Sequence, residues 1–175
     1  MEQNFGGEFS DAIREFRLPA YDEIPDTGLY LEQAARYVSE ALQPLPGAGV
    51  TGSMVSNYVK RGLVANPIRK QYGREQLAHL FFIAVAKSVL SIEDLHLLVQ
   101  LQRSGYDSRA AYSYFRTELE RALRCAFGLE TAPPLPDARD SREKRILHTA
   151  ILAIAHKLCL NAQLNRLRCG DCPAG

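Results

Sequence analysis

No stretch of this sequence is apolar for long enough to cross a membrane. A membrane-spanning helix needs about 20 consecutive apolar residues, and the richest apolar run, 80–86, ends at Lys87. The amino-terminal stretch is acidic and lacks the charged-then-apolar pattern of a secretory signal. We therefore expect a cytoplasmic protein with no membrane partner.

Strong net charge is also missing. The 175 residues include 21 Lys and Arg against 20 Asp and Glu, which gives a formal charge of +1. Any attraction to nucleic acid must therefore come from a local cluster of charge. Cysteine is scarce too: Cys125, Cys159, Cys169 and Cys172 are too few, and too close to the end, for the disulfide framework of a secreted protein.

Recognisable catalytic motifs are absent as well. The sequence has no phosphate-binding glycine loop, nucleophile elbow or paired-carboxylate motif. His79 and His96 fall within amphipathic helical patterns, and His148 has no serine, cysteine or carboxylate at a recognisable spacing. We predict that the protein is not an enzyme and has no catalytic residue, no metal site and no cofactor.

One metal alternative stays open at the carboxy-terminal end. His156 and Cys159 are followed by the pair Cys169 and Cys172, a spacing that a tetrahedral zinc ion can use. The interpretation that we favour is a polar tail beyond the last helix, and zinc remains the alternative.

Helical periodicity is what the sequence has in abundance. Apolar residues three and four positions apart predict helices over 29–42, 52–61, 74–88, 91–105, 107–127 and 140–168, after a short helix that starts at Ser10. Thr51 and Ser91 are expected N-caps, and Gly62 and Gly105 are expected helix stops.

Two interruptions complete the pattern. The segment 63–72 has two short runs of strand character around Asn66 and Pro67, which predicts a hairpin or an extended wing. Pro133, Pro134 and Pro136 predict a loop. We expect a mainly all-α fold: an acidic lead segment over 1–28, a winged helix-turn-helix domain with a short β wing over 29–104, a helical bundle for dimerisation or sensing over 105–168, and a flexible tail over 169–175.

The stretch 49–74, GVTGSMVSNYVKRGLVANPIRKQYGR, is where positive charge collects. No acidic residue occurs between Glu40 and Glu75. Such a cluster attracts DNA phosphates, and its affinity should fall with salt. A solvated surface is the plainer alternative. The basic residues of the interval are Lys60, Arg61, Arg69, Lys70 and Arg74.

The short helix over 52–61 has the residues of a recognition helix. Asparagine can pair with adenine through two hydrogen bonds, and serine tolerates several base edges. The following wing would contact phosphates, which set position rather than sequence preference. The DNA-binding residues that we predict are Ser53, Ser56, Asn57, Tyr58, Lys60, Arg61, Arg69, Lys70, Tyr72 and Arg74.

This stretch resembles the start of the MerR family of bacterial regulators. That family has a Gly-Val turn, a recognition helix that ends in an aromatic residue, a Gly-Leu pair, a proline, and a basic residue and a tyrosine before the next helix. The matching residues here are Gly49-Val50, Asn57-Tyr58, Gly62-Leu63, Pro67, Arg69-Lys70 and Tyr72. The resemblance implies a MerR-like winged helix-turn-helix.

A second resemblance is to the bacterial domain-of-unknown-function-1836 family and covers about residues 20–104. Its motifs appear here as Ile24-Pro25 to Leu29-Tyr30, Met54 to Lys60, Lys70-Gln71-Tyr72 and Leu90-Ser91-Ile92. This resemblance implies a DNA-binding domain and names neither an operator nor an effector.

The function that follows is a transcriptional regulator that binds double-stranded DNA, with a homodimer favoured because regulators that read paired half-sites commonly dimerise. The alternative is a winged-helix module that binds proteins and not DNA, since Ser56 stands where MerR proteins usually have arginine. The aromatic cluster Tyr106, Tyr112, Tyr114 and Phe115 can be plain core or can line a ligand pocket beside the last helix.

Overall fold

The computed structural model describes residues 7–131 and 139–170, without the side chains of residues 7, 8 and 169. The fold is mainly helical, as the sequence predicted. Within the described ranges the elements are α1 (Gly7–Glu15), a 3₁₀ turn (Tyr21–Glu23), β1 (Leu29–Tyr30), α2 (Leu31–Ala41), α3 (Gly52–Lys60), β2 (Gln71–Tyr72), α4 (Arg74–Ala86), α5 (Ile92–Gly105), α6 (Ser108–Ala126) and α7 (Arg142–Gly170).

The lead segment packs into the core. Helix α1 is present but begins before Ser10, at Gly7. Ile13, Leu18 and Ile24 are almost fully buried. The Glu120 carboxylate on α6 accepts a hydrogen bond from the Leu18 amide at 2.9 Å. The segment is therefore acidic on its outer side and apolar on its inner side.

Helix α4 is the centre of the core. All ten residues from Leu77 to Ala86 are buried, so the helix has no exposed face over that length. A helix that is apolar all round must be covered on every side. Here α2, α6 and α7 pack against it.

The predicted helix boundaries agree closely with the structure wherever a local cap sets them. The side chains of Thr51, Ser91 and Asp107 accept hydrogen bonds from backbone amides at the starts of α3, α5 and α6. Serine, threonine and aspartate are favoured there because they satisfy amides that have no partner within the helix. Helix α7 continues to Gly170, two residues into the predicted tail. The predicted proline loop lies outside the described residues.

The small sheet differs from the hairpin that the sequence predicted. Leu29 and Tyr30 are the strand β1 and not the first residues of a helix. Strand β1 pairs antiparallel with β2, with Leu29 opposite Tyr72 and Tyr30 opposite Gln71. Within the predicted hairpin, the described pairing is one bridge between Ile68 and Gln71. The strand partner of Tyr72 is therefore 43 positions away in the chain, a distance that local patterns cannot reveal.

Across 7–131 and 139–170, no helix is long and apolar enough to cross a membrane.

Candidate nucleic-acid interface

The outer face of α3 presents a polar stripe. Ser53, Ser56, Asn57 and Lys60 are exposed, whereas Val55 and Tyr58 point into the core. The exposed residues are three or four positions apart, so they lie along one side of the helix. This helix therefore offers a continuous row of hydroxyl, amide and ammonium groups to solvent.

The start of α3 is fixed by hydrogen bonds to two other helices. The Ser39 hydroxyl on α2 accepts from the Val50 amide at 2.9 Å and donates to the Val50 carbonyl at 3.0 Å. The ammonium of Lys87, just past α4, donates to the Gly49 carbonyl. Burial lowers the pKa of Lys87. These contacts hold the connection between α2 and α3 in one place.

The Glu32 carboxylate on α2 lies beside Gly52, in the first turn of α3. A Cβ atom at Gly52 would overlap it, so a larger residue there would require the exposed Glu32 side chain to move. A carboxylate near the first turn of a helix interacts favourably with the helix dipole.

The end of α3 is a glycine stop. Gly62 has a φ of 74°, a conformation that glycine adopts without strain, and the Leu63 amide donates to the Tyr58 carbonyl. The chain then bends away from the helix axis. The Gln76 side-chain amide donates to the carbonyls of Ala65 and Asn66 and so ties this loop to α4.

A tight turn over residues 68–71 has Arg69 and Lys70 at its tip. Ile68 and Gln71 exchange two backbone hydrogen bonds around them, at 2.9 and 3.1 Å. Both tip residues have positive φ, 52° and 65°. Positive φ at both central positions defines the type I′ turn, which favours asparagine and glycine. Two cations therefore occupy strained positions, and strain of this kind concentrates at functional sites.

The cations of α3 and the turn are exposed and unpaired. Within the described part of the chain, no ion pair involves Lys60, Arg61, Arg69 or Lys70. Ile68, beside them, is 77% exposed, and no motif in the sequence identifies it as a surface residue. We call this surface the basic face; it consists of the exposed residues Ser53, Ser56, Asn57, Lys60, Arg61, Ile68, Arg69 and Lys70.

Three of the predicted DNA-binding residues lie elsewhere. Tyr58 and Tyr72 are about 95% buried, and burial raises the pKa of both phenols. Both belong to the hydrophobic core. Arg74 is half-buried; its guanidinium donates to the Ile24 carbonyl at 2.9 Å and lies 3.8 Å from an oxygen of Asp22. The other predicted residues of the set are exposed on the basic face.

The other polar candidates do not assemble into a second centre. Where the structure describes the chain, no group of three or more His, Cys, Asp and Glu residues is placed to hold a metal ion. His156 is exposed and Cys159 is buried; the Cys169 side chain and Cys172 lie outside the described part. His148 does have a carboxylate partner, Glu118 on α6, 3.3 Å from its Nδ1. Thirty residues separate the two, so their spacing gave no signal.

The comparisons with known proteins place the chain in a family. A family described as Domain of unknown function (DUF1836) matches residues 19–115, which include the basic face, α4 and α5. No curated protein and no solved structure matches the chain. Because the matched residues make up more than half of the sequence, the chain belongs to the DUF1836 family, as its motifs indicated.

Proposed function

We propose that the protein is a cytoplasmic transcriptional regulator that binds double-stranded DNA through the basic face. The observation that carries the proposal is the combination of the polar stripe on α3 with four exposed, unpaired cations. The arrangement fits a MerR-like winged helix-turn-helix, in which α2 and α3 form the helix pair and the turn at 68–71 is the wing.

Helix α3 has the side chains that read base edges. The major groove admits one α-helix, and asparagine can donate to and accept from adenine at the same time. Asn57 is exposed in the middle of the stripe, with Ser53 and Ser56 toward the helix start. In this proposal Asn57 contributes sequence preference, and the serines accommodate either base edge.

The cations supply affinity. Each phosphate that a Lys or Arg neutralises releases counterions, so the logarithm of the binding constant falls with the logarithm of salt by about 0.9 per phosphate. Lys60 and Arg61 extend the stripe, and Arg69 and Lys70 reach out from the wing. Among the described residues, their side chains have no ion-pair partner to leave before they bind phosphate.

A dimer is part of the proposal. Leu160, Leu164 and Leu167 are 46%, 39% and 68% exposed on α7, at a helical spacing that puts them on one side. A second copy of this helix could cover that strip. Two copies would present two recognition helices, which is how helix-turn-helix proteins read paired half-sites.

The test is duplex binding by fluorescence anisotropy, with a random-sequence probe pool at low and moderate salt. We expect salt-sensitive binding by the full chain, which the double variant Arg69→Ala/Lys70→Ala weakens by about tenfold or more. The matched control is Arg103→Ala/Arg145→Ala, which removes two exposed arginines from α5 and α7. Equal weakening by both double variants would show that net charge alone acts, and absence of binding at low salt would refute the proposal.

One observation favours the alternative, a protein-interaction module. Ile68 and Leu97 are 77% and 60% exposed, and Leu97 lines a shallow groove with Arg61 and His96. Exposed apolar residues beside a charged rim are common in protein interfaces. A partner that binds independently of salt, together with no duplex binding, would decide for this function.

A further inference from the structure

Helices α5, α6 and α7 line a partly open cavity of about 280 Å³. Its walls are mostly aliphatic and aromatic: Leu98 and Leu101 come from α5, Tyr114 from α6 and Leu147 from α7. An apolar cavity of about 150 Å³ is large enough to bind benzene. This cavity therefore has room for a molecule of about two fused rings.

The aromatic cluster of the sequence divides between this cavity and the core. Tyr106 and Tyr114 line the cavity. Tyr112 and Phe115 belong to the core instead; they are 2% and 3% exposed, and their ring centroids are 6.2 Å apart. Two residues of the cluster therefore line the cavity, and the other two are part of the core.

Two polar groups at the cavity have no partner of their own. The Gln102 amide and the Glu143 carboxylate form no hydrogen bond or ion pair with any side chain in the described ranges. Lys144 is different: its ammonium is 2.6 Å from an oxygen of Asp140 and 5.8 Å from the centre of the Tyr114 ring. The positive charge at the cavity is therefore already neutralised, whereas a carboxylate and an amide remain available as acceptors.

We propose that this cavity binds a small, uncharged aromatic molecule of one or two rings that carries a hydrogen-bond donor. The apolar walls would cover its rings, and Glu143 or Gln102 would accept its hydrogen bond. A charged ligand would lose hydration against the apolar walls. An anion would also meet Glu143, and a cation would gain little from a carboxylate that is still half-exposed to water.

The proposal goes beyond DNA binding and can be tested without DNA. The probe is 2-naphthol, a neutral two-ring phenol, followed by its own fluorescence anisotropy. The sequence contains no tryptophan, so the protein contributes no indole fluorescence to that signal. We expect saturable binding to the full chain.

A pair of variants on α6 locates the site. Ala110 lines the cavity, and both Ala110 and Ser113 are exposed to solvent, so a leucine at either position is compatible with the fold. Ala110→Leu should fill part of the cavity and weaken binding by about tenfold or more. Ser113→Leu adds a comparable apolar group outside the cavity and should leave affinity unchanged. Equal affinity in the two variants, or no binding by the full chain, would overturn the proposal.

Charged analogues test the chemical class. We expect 2-naphthoate and 2-naphthylmethylammonium to bind at least about tenfold more weakly than 2-naphthol. Glu143→Gln should increase the affinity for naphthoate several-fold, because it removes the negative charge that repels this anion. The glutamine keeps an oxygen that can accept a hydrogen bond from 2-naphthol. Tighter binding of either charged analogue than of 2-naphthol to the unaltered chain would overturn the neutral assignment.

Discussion

Two groups of arginines and lysines in this chain have opposite surroundings. One group lies between the lead segment and the helices and is engaged by carboxylates and backbone carbonyls; we call these the engaged arginines, Arg74, Arg109 and Arg116. The other group is exposed on the basic face and has no ion-pair partner among the described residues: Lys60, Arg61, Arg69 and Lys70.

The engaged arginines hold the lead segment against the protein. Arg109 pairs with Asp22 through two guanidinium hydrogen bonds, and these hold the pKa of that carboxyl below its ordinary value. Arg116 donates to the Leu18 carbonyl at 2.7 Å and lies 3.4 Å from Glu120. Removal of such a group should change stability.

The basic face has the reverse character. The side chains of its cations make no hydrogen bond within 7–131 and 139–170, and two of them occupy a strained turn. Removal of these groups should leave the fold intact and change only what the protein binds. A count of positive charges along the sequence does not separate the two groups, because the difference lies in which carboxylates come near in space.

The substitution that should change stability most is at Glu120, the buried carboxylate that pairs with the engaged arginine Arg116. Glu120→Ala leaves the Leu18 amide without its acceptor and removes the partner of Arg116, so we expect a loss of about 2 to 3 kcal/mol in the free energy of unfolding. The expected loss is no larger than this because the arginines near Glu120 are partly exposed, and water screens their charges. Denaturant unfolding measures it, and Thr117→Ala, an exposed neighbour on α6, should change stability by no more than about 0.5 kcal/mol.

The next effect is at the turn, where stability and binding should move in opposite directions. Arg69→Asn/Lys70→Gly installs the residues that a type I′ turn prefers and should stabilise the fold by about 1 to 2 kcal/mol. The same change removes two cations and should weaken duplex binding by about tenfold.

Arg69→Ala/Lys70→Ala is the control for that prediction, since it removes the same charges without relieving the positive φ. It should weaken DNA binding to a similar extent and should not stabilise the fold. If the Asn-Gly variant bound DNA as well as the unaltered chain, these two cations would not belong to the interface.

Alanine substitutions at Arg74 and Lys60 compare one residue from each group. Arg74→Ala removes the hydrogen bond to the Ile24 carbonyl and should cost about 1 kcal/mol of stability, with no change in the salt dependence of DNA binding. Lys60→Ala should leave stability within about 0.5 kcal/mol and lower the salt slope by about 0.9. Unfolding curves and salt titrations of both variants check the pair. A reduced salt slope in Arg74→Ala would break the division into two groups.

Local chemistry made part of this structure predictable. The caps at Thr51, Ser91 and Asp107 and the glycine stop at Gly62 act within one helical turn, so neighbouring residues suffice to indicate where α3, α5 and α6 begin or end. The exposed residues of α3 were predictable from local sequence too, because the spacing of the apolar residues Val55 and Tyr58 determines which side of the helix is buried.

Non-local contacts account for what the sequence did not reveal. In the sequence, Arg74 cannot be distinguished from the basic residues near it. Its contacts with Asp22 and Ile24, about 50 residues earlier, appear only in the folded structure. The burial of Leu18 depends on α6, about 100 residues later. Tyr72 looks exposed in a wing, but its strand pairs with Leu29 and its ring is covered.

The smallest effect at neutral pH concerns a titratable group inside the core. His79 is 5% exposed, and burial, with a smaller contribution from Arg103, lowers its pKa from the ordinary value of 6.5. The unfolded chain therefore takes up the proton first as the pH falls. The stability that His79 contributes is complete above pH 6.5 and declines below it, by at most about 1.4 kcal/mol per pH unit.

Denaturant unfolding at a series of pH values measures this slope. His79→Gln should flatten it, and His96→Gln, at a half-exposed position, should retain it. An unchanged slope in His79→Gln would assign the acid sensitivity to other groups.

A duplex titration followed by NMR, with the backbone amide shifts assigned along the chain, locates the DNA-binding surface. If the basic face binds DNA, the amide shifts change over 53–61 and 68–71, and the amide shifts of Leu18, Asp22 and Arg109 do not change. Shift changes centred on the lead segment and α6, or on the groove of His96 and Leu97, would contradict the claim that the basic face is the DNA-binding surface.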